Sequence, residues 1–334
     1  LFIFKSIFFY FYTKTIRLFL LYIYIMELDK YEKNNKAPKY CSIFSKSNGT
    51  LETCFDRNSL LTLIKGYNSS SSIEKKIILS KNRKTEWLLN DFKNVLPYNF
   101  KNNDQYWIYF VHSIASNTYK KKIMDLEKNF VPERPETWEI DKNTWLSNID
   151  IAKVMKQYHA LKKLKYHFHG VFPIDFSLKD HKGMCLFNAL CHINIKALID
   201  KGIKYVGLIT NLDTHDKPGS HWTSSFIIID DKLPNFGAYY YDSMGRKIPK
   251  LILNFFKDIE KQLNKKLVIK VNLKRHQFQN TECGMFALFY QIKWLELLQK
   301  NKATSFKDIV DCDLNDNNIT ILRDIIFRPK IKYV

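Results

Sequence analysis

The chain has 334 residues, 46% of them hydrophobic, so it can bury the core of one large domain or of a large domain with a smaller module. Lys and Arg outnumber Asp and Glu by 53 to 33, and the formal net charge of +20 is compatible with nucleic acid, a membrane surface or an acidic protein as partner. Six cysteines without regular spacing do not make up a disulfide framework and favour a reducing compartment; they are Cys41, Cys54, Cys185, Cys191, Cys283 and Cys312.

The first 25 residues are rich in aromatic and aliphatic side chains. Lys14 and Arg17 shorten the apolar run below the roughly 18 to 20 residues that a membrane-spanning helix needs. Met26 is the first methionine, and polar sequence follows it. We therefore interpret residues 1–25 as an untranslated upstream segment, with a membrane anchor as the alternative, and we expect no stable membrane insertion.

Residues 26–130 are predicted to form a mostly helical N-terminal module of unknown role. Helical patterns cover "RNSLLTLIKGYN" and "KTEWLLNDFKNVL", and a serine-rich break follows the first of them. Pro132 and Pro135 favour extended backbone and place a domain boundary near residue 130. Residues 131–334 then form a second domain.

The second domain is predicted to contain both helices and strands. Apolar residues recur at helical spacing after Trp145, and helices are also predicted from Pro249, from the cap-competent Asn280 and Thr281, and near the end of the chain. Strands are predicted at 204–210, 223–229, 237–243 and 267–273. This mixture indicates an α+β fold.

One cysteine has a location that favours reactivity. Cys283 lies where a helix is predicted to begin, and the helix dipole and unpaired N–H groups there favour a thiolate. A cysteine nucleophile also needs a base and a group that orients the base. His221 begins one predicted strand and Asp242 ends the next, so antiparallel pairing would bring both to one sheet edge. Gln277 can add a side-chain amide to the backbone N–H of Cys283 as an oxyanion donor.

Alternatives exist for several of these residues. Taken singly, each has an ordinary structural explanation, and the combination and its order are what favour catalysis. His215, in the loop before His221, is a rival for the base, although a loop tip holds a side chain less firmly. The sequences "HFH" at 167–169 and "CHI" at 191–193 invite a metal interpretation, but without CxxC-type spacing we predict neither a metal nor another cofactor.

The motifs "SHW", "YYYDS" and "HQFQNTECGMF" resemble the His-Trp, Asp and Gln-x5-Cys-Gly pattern of the ubiquitin-like-protein-specific cysteine proteases. That superfamily includes SUMO-deconjugating enzymes, the adenovirus proteinase and the African swine fever virus protease. The order His, Asp, Gln, Cys is permuted relative to papain. The resemblance covers about residues 130–330 and is strongest to the versions in large cytoplasmic DNA viruses, while the loop before His221 is longer than in cellular SUMO proteases.

The resemblance implies a papain-like core of the permuted type, with a central mixed β-sheet flanked by helices and an N-terminal, mostly helical extension. It implies that Cys283 is the nucleophile, His221 the general base, Asp242 its orienting partner and Gln277 the oxyanion donor. Trp222 then matches the tryptophan that clamps a narrow Gly-Gly substrate backbone. Trp145 is interpreted as a packing anchor, with a substrate-groove role as the alternative.

The predicted function is a cysteine endopeptidase that cleaves after small residues at Gly-Gly-X-like sites, as a viral polyprotein or virion maturation protease. One alternative is a SUMO or ubiquitin-like isopeptidase that acts on host conjugates. An alternative of another class is a non-catalytic, basic, nucleic-acid-binding scaffold protein. We expect a reducing location in the host cytoplasm or virion, or the nucleus if the protein is a cellular SUMO-type enzyme.

Overall fold

The computed structural model describes residues 40–43, 45, 52–179, 181–184, 193–312 and 314–331. Residues 1–25, which the sequence analysis interpreted as an upstream segment, lie outside the described residues, as do Cys185 and Cys191. The described chain forms two compact units, residues 135–324 and residues 40–134 together with 325–331. Among the described helices, none combines the length and apolar character needed to span a bilayer.

The division between the units differs from the predicted one, which gave all of residues 131–334 to a single domain. The chain divides after Arg134, and residues from Ile325 onward return to the N-terminal unit. Arg328 accounts for this return: its backbone N–H donates to the carbonyl of Pro132 at 2.9 Å, and its guanidinium lies 3.0 Å from the carboxylate of Glu133. Sequence patterns did not reveal these long-range contacts.

In its described residues the N-terminal unit includes the α-helices α1 (Arg57–Asn68), α2 (Thr85–Val95), α3 (Gln105–Ile114) and α4 (Asn117–Met124). Helix α1 begins as its sequence favours, because the side chain of Asp56 accepts a hydrogen bond from the N–H of Ser59 at 2.7 Å. Leu, Ile, Phe and Trp side chains from α1, α2 and α3 are buried together, with Phe55, Phe92 and Trp107 in ring contact. The mostly helical prediction describes this unit correctly.

A single disulfide bond, between Cys41 and Cys54, is present in the described part of the N-terminal unit, and the spacing of the cysteines did not predict this pairing. The separation of 13 residues carries no signal by itself. The pairing arises from tertiary structure, because the chain around Cys41 lies beside Phe130 and the N–H of Cys54 is bonded to the buried carboxylate of Asp104. In the described part of the chain, Cys283 and Cys312 are not in disulfide bonds.

The larger unit is built on a five-stranded sheet: β1 (Tyr166–Pro173), β2 (Tyr205–Asn211), β3 (Trp222–Ile228), β4 (Gly237–Tyr241) and β5 (Val268–Val271). The strands lie in the order β1-β2-β3-β4-β5. The β1–β2 and β4–β5 pairs are parallel, and β2–β3 and β3–β4 are antiparallel. The predicted strands correspond to β2, β3, β4 and β5, whereas β1, which contains "HFH", was not predicted.

Among the described residues, the sheet is accompanied by the α-helices α5 (Asn148–Ala160), α6 (Ile195–Asp200), α7 (Lys250–Leu263), α8 (Cys283–Lys300), α9 (Phe306–Val310) and α10 (Asp316–Ile326). Apolar side chains of α7 and α6 are buried in one cluster with Ile227 of β3 and Ala238 of β4. Alternate residues of β3 point to the opposite face, where Phe226 stacks on Trp294 of α8 at 5.1 Å between ring centroids.

Helix α8 is buried on nearly all sides, and the buried amide of Gln291 is hydrogen-bonded to two strands. The side-chain amide of Gln291 donates to Ser224 Oγ and to the carbonyl of Ser225, both at 2.7 Å, and accepts from the hydroxyl of Tyr166 at 2.9 Å. Burial of this amide is tolerated because its donors and acceptor are all used. The network fixes the position of α8 against β1 and β3.

Candidate active site

The β3–β4 hairpin brings His221 and Asp242 together. Ser224 pairs with Tyr241 in the antiparallel register, so the residues just before β3 and just after β4 meet at one sheet edge. Nε2 of His221 lies 2.7 Å from Oδ1 of Asp242. The carbonyl of His221 accepts from the N–H of Leu212 at 2.8 Å, which also holds the backbone of the histidine in place.

Cys283 lies at the N-terminus of α8, close enough to His221 that its side chain contributes to the raised pKa of the imidazole. Because Nε2 of the imidazole is used by Asp242, Nδ1 is the ring nitrogen left for the thiol. The expected N-terminal location is observed, but the expected cap is not: Glu282 occupies the N-cap position without a side-chain cap bond, instead of Asn280 or Thr281. Glu282 is held elsewhere by a buried ion pair.

His221 is held in a charged state by its neighbours. Burial disfavours the imidazolium, but the hydrogen bonds and negative charges of Asp242 and Cys283 outweigh burial and raise the pKa of His221 to about 9. An imidazolium beside a cysteine favours the thiolate, which is the nucleophilic form. The site therefore places a charged imidazole beside the side chain of Cys283.

Gln277 is buried close to this hairpin, with both ends of its amide engaged. Its Oε1 accepts from the hydroxyl of Ser243 at 2.6 Å, and its Nε2 donates to the carbonyl of Gln279 at 2.6 Å. A primary amide has two N–H donors, so one remains for a substrate oxygen. Ser243, which follows Asp242 directly, was not singled out in the sequence, although its position in "YYYDS" is the available signal.

Trp222 packs against the start of α8. Its indole N–H donates to the carbonyl of Leu146 at 3.0 Å. A Cβ added to Gly284 would lie 3.1 Å from Leu146 Cβ and 3.3 Å from Trp222 Cδ1, closer than ordinary van der Waals contact. The "CG" pair thus has a packing reason, since glycine allows the helix carrying Cys283 to approach Leu146 and Trp222.

A cavity of about 510 Å³ opens beside Trp222 and includes Trp145, which is 46% exposed. Its remaining walls come from the end of β1, the start of α5 and the chain from the end of β2 to the loop before His221. An exposed indole on a cavity wall can contact a bound chain, so the geometry favours the substrate-groove alternative for Trp145 over the packing-anchor interpretation. Leu146, its neighbour, was missed in the sequence because it acts through its backbone carbonyl.

His215 lies on the wall of the same cavity but is bonded to a different carboxylate. Its Nδ1 lies 2.6 Å from Oδ2 of Asp175, and its backbone N–H donates to Oδ1 of Asp175 at 3.1 Å. The hydrogen bond to Asp175 raises the pKa of His215. The structure therefore gives His221, not His215, the contacts to Asp242 and Cys283 that a base needs.

A buried ion pair supports the start of α8. The guanidinium of Arg323 lies 2.9 Å from the carboxylate of Glu282, and it also donates to the carbonyls of Lys142 at 2.8 Å and Thr144 at 3.2 Å. Burial raises the pKa of Glu282, against the opposing effect of Arg323. Arg323 thus ties the residue before Cys283 to the chain that leads to Trp145, and sequence patterns did not single it out.

The histidines of "HFH", His167 and His169, lie on β1, and burial together with nearby positive charges lowers the pKa of His167 to about 4. Within the residues that the structure describes, no group of three or more His, Cys, Asp or Glu side chains could hold a metal ion. Cys191 and His192 of "CHI" fall outside those residues.

Similarity to known proteins adds to this geometry. No family model matches the chain. A thiol protease of Acanthamoeba polyphaga mimivirus is 31% identical over 188 residues, which are 55% of this chain and 57% of that protein, so the chain spans little more than half of that relative. A cysteine protease of African swine fever virus is 24% identical over 234 residues, 65% of this chain and 80% of that protein.

A crystal structure of the African swine fever virus protease aligns with a TM-score of 0.52 at 19% identity and covers 79% of this chain and 97% of that one. This likeness confirms the predicted α+β fold. In sequence the chain is similar to viral cysteine-type peptidases, and in fold it is similar to one of them. The chain is a homologue of the viral thiol and cysteine proteases, as its motifs predicted.

Proposed function

We propose that this protein is a cysteine endopeptidase in which Cys283 attacks a peptide carbonyl, His221 acts as general base and then acid, and Asp242 orients the imidazole. The observation that carries the proposal is the 2.7 Å contact between His221 Nε2 and Asp242 Oδ1, with Cys283 close enough to the same imidazole to raise its pKa. Each member has a neighbour of the type its role requires.

The reaction follows from these contacts. The thiolate forms a bond to the substrate carbonyl carbon, and the resulting oxyanion is stabilised by the backbone N–H of Cys283 and the remaining N–H of Gln277. His221 gives its proton to the leaving amine as the C–N bond breaks, which leaves an acyl-enzyme. His221 then takes a proton from water, whose oxygen displaces the Cys283 sulfur and releases the acid.

We further propose that the substrate is a viral polyprotein cleaved after small residues at a Gly-Gly-X-like site, during virion maturation in the host cytoplasm or virion. The support is Trp222, which lines the cavity and whose indole N–H is held by the carbonyl of Leu146, beside the start of the helix that carries Cys283. Residues without side chains pass a fixed indole with least hindrance.

The decisive experiment is labelling with a Gly-Gly vinyl ester probe. We expect the wild type and Cys312→Ala to be labelled and Cys283→Ala to be unlabelled, because Cys283 and Cys312 are the cysteines of the described chain that are not in a disulfide bond. Labelling that persists in Cys283→Ala would point to another thiol and contradict the proposal.

A second candidate is a SUMO or ubiquitin-like isopeptidase. The observation in its favour is that a protein of African swine fever virus named a SUMO-1 cysteine protease is 21% identical over 232 residues. Turnover of a Gly-Gly peptide is to be compared with turnover of SUMO- and ubiquitin-amidomethylcoumarin. Faster turnover of a folded conjugate would overturn the maturation-protease assignment.

The net charge of +20 supports nucleic acid as an additional partner. Duplex DNA added at low salt is expected to raise the activity, and an unchanged rate contradicts this. A non-catalytic scaffold would instead show salt-dependent binding that is independent of Cys283.

A further inference from the structure

The segment between β5 and α8 presents an exposed aromatic ring immediately after Gln277. Phe278 is 65% exposed, although it follows a residue that is only 2% exposed. A single exposed apolar side chain is common on protein surfaces and means little by itself. Two properties distinguish Phe278 from an ordinary surface residue: its backbone and ring are held by specific contacts, and its position is adjacent to the oxyanion donor.

The backbone of this segment is held from two sides. The N–H groups of His276 and Gln277 both donate to the carbonyl of Ser243, at 2.8 and 3.0 Å. The N–H groups of Phe278 and Gln279 both lie within hydrogen-bond distance of Oδ2 of Asp316, at 2.8 and 3.3 Å. Phe278 is thus fixed to the hairpin on one side and to the first residue of α10 on the other.

The ring of Phe278 is also oriented. The guanidinium carbon of Arg275 lies 4.8 Å from the ring centroid, and Nε of Arg275 donates to the carbonyl of Gln277 at 2.8 Å. A cation over one ring face restricts the rotamer and leaves the rest of the ring to solvent. Ordering a side chain before binding reduces the entropy lost when a partner contacts it.

We propose that Phe278 is a specificity-determining residue that packs against an apolar side chain of the substrate on the leaving-group side of the scissile bond. The inference rests on the proposed function. A substrate whose carbonyl lies at Cys283 and Gln277 passes within a few ångströms of the next residue along this segment, since consecutive Cα atoms are about 3.8 Å apart.

The leaving-group side follows from the cavity. Phe278 is not among the residues that line the cavity beside Trp222 and Trp145, where the proposed function puts the acyl part of the substrate. The chain on the other side of the scissile bond is therefore the part that meets the ring. An apolar side chain is the matching partner because it removes the exposed ring from water.

The test uses two internally quenched peptides, one with Gly-Gly-Leu and one with Gly-Gly-Ser across the cleaved bond. We expect the wild type to have about a tenfold higher kcat/KM on the leucine peptide, chiefly through KM. Phe278→Ala should bring this ratio close to one, Phe278→Leu should retain most of it, and Trp87→Ala, a matched exposed aromatic in the N-terminal unit, should leave it unchanged.

The inference is overturned if Phe278→Ala keeps the wild-type ratio of kcat/KM between the two peptides. This includes an equal loss of kcat/KM on both peptides, which would indicate that Phe278 only supports Gln277. Wild-type protein that is labelled at Cys283 but shows no preference for leucine also contradicts it while leaving the proposed function intact. Absence of Cys283-dependent labelling instead contradicts the proposed function itself.

Discussion

Oδ1 of Asp242 accepts from Nε2 of His221 at 2.7 Å and from the backbone N–H of Met244 at 2.8 Å. Asp242 is fully buried, so its charge acts on the imidazole with little screening by water. We expect Asp242→Asn, which keeps the shape but removes the charge, to lower kcat about 10²-fold or more and to move the alkaline limb of the pH–kcat/KM profile below pH 9. An alkaline limb at the wild-type position would show that the carboxylate does not control His221.

The pH dependence of the wild type follows from the raised pKa of His221, about 9 against an ordinary value near 6.5. Because folding favours the charged form, the stabilisation is complete below pH 6.5 and is lost as the pH rises through about 9. We expect the ¹³C resonance of His221 to titrate near pH 9 and the urea midpoint to fall over pH 7 to 9. In Cys283→Ala, the resonance of His221 should titrate at a lower pH. An equal pKa of His221 in this variant would show that the thiol does not contribute to the raised pKa.

Gly284→Ala tests the close approach of α8 to Trp222. Alanine in place of glycine favours a helix by about 1 kcal/mol, but the added Cβ would lie 3.1 Å from Leu146 Cβ. Overpacking in a filled core costs about 1 to 3 kcal/mol. We therefore expect a net loss of stability, by urea unfolding, and a larger relative loss of probe labelling as Trp222 is displaced. If Gly284→Ala is more stable than the wild type and is fully labelled, Leu146 and Trp222 move aside to accommodate the added Cβ without cost.

The buried pair of Arg323 and Glu282 allows a test by paired substitution. Arg323→Met leaves a buried carboxylate without its cation and should lower the free energy of unfolding by about 3 to 5 kcal/mol. Arg323→Met combined with Glu282→Leu removes both charges and should recover much of that loss. Labelling of Cys283 should stay low in the double variant, because the bonds to Lys142 and Thr144 are still missing. Equal stability of the single and double variants would contradict this account.

The disulfide between Cys41 and Cys54 should stabilise the N-terminal unit. Closing a loop of this length restricts the unfolded chain by about 2 to 4 kcal/mol. We expect the Cys41→Ser, Cys54→Ser double variant to unfold at lower temperature and to be cut faster by protease in residues 52–134, while Cys312→Ser behaves as the wild type. Identical melting and proteolysis of the double variant and the oxidised wild type would show that the bond contributes nothing to stability.

Local sequence patterns were sufficient for several elements. Helix α1 was predicted with the observed bounds because Asp56 caps it and apolar residues repeat at helical spacing. Strands β2, β3 and β4 were predicted from short apolar runs bounded by turns. Strand β1 was missed because His167 and His169 interrupt its apolar pattern, and its pairing with β2 supplies the stabilisation that local propensity does not.

The candidate site was predictable where its residues are adjacent to element ends. His221, Asp242 and Cys283 each flank or begin an element, so topology brings them together once the hairpin and α8 form. The supporting residues had no such signal. Arg323 follows Glu282 by 41 residues, and Leu146 acts through a carbonyl that any residue would supply.

By itself, the amino-acid sequence determined the class of fold, the order of the site residues and the reactive position of one thiol, because helix caps, hydrophobic periodicity and motif order are local properties. Only the tertiary structure decided that Cys41 pairs with Cys54, that residues from Ile325 return to the N-terminal unit, and that Asp175 holds His215. These outcomes depend on contacts between residues distant in the chain, whose energies local patterns do not encode.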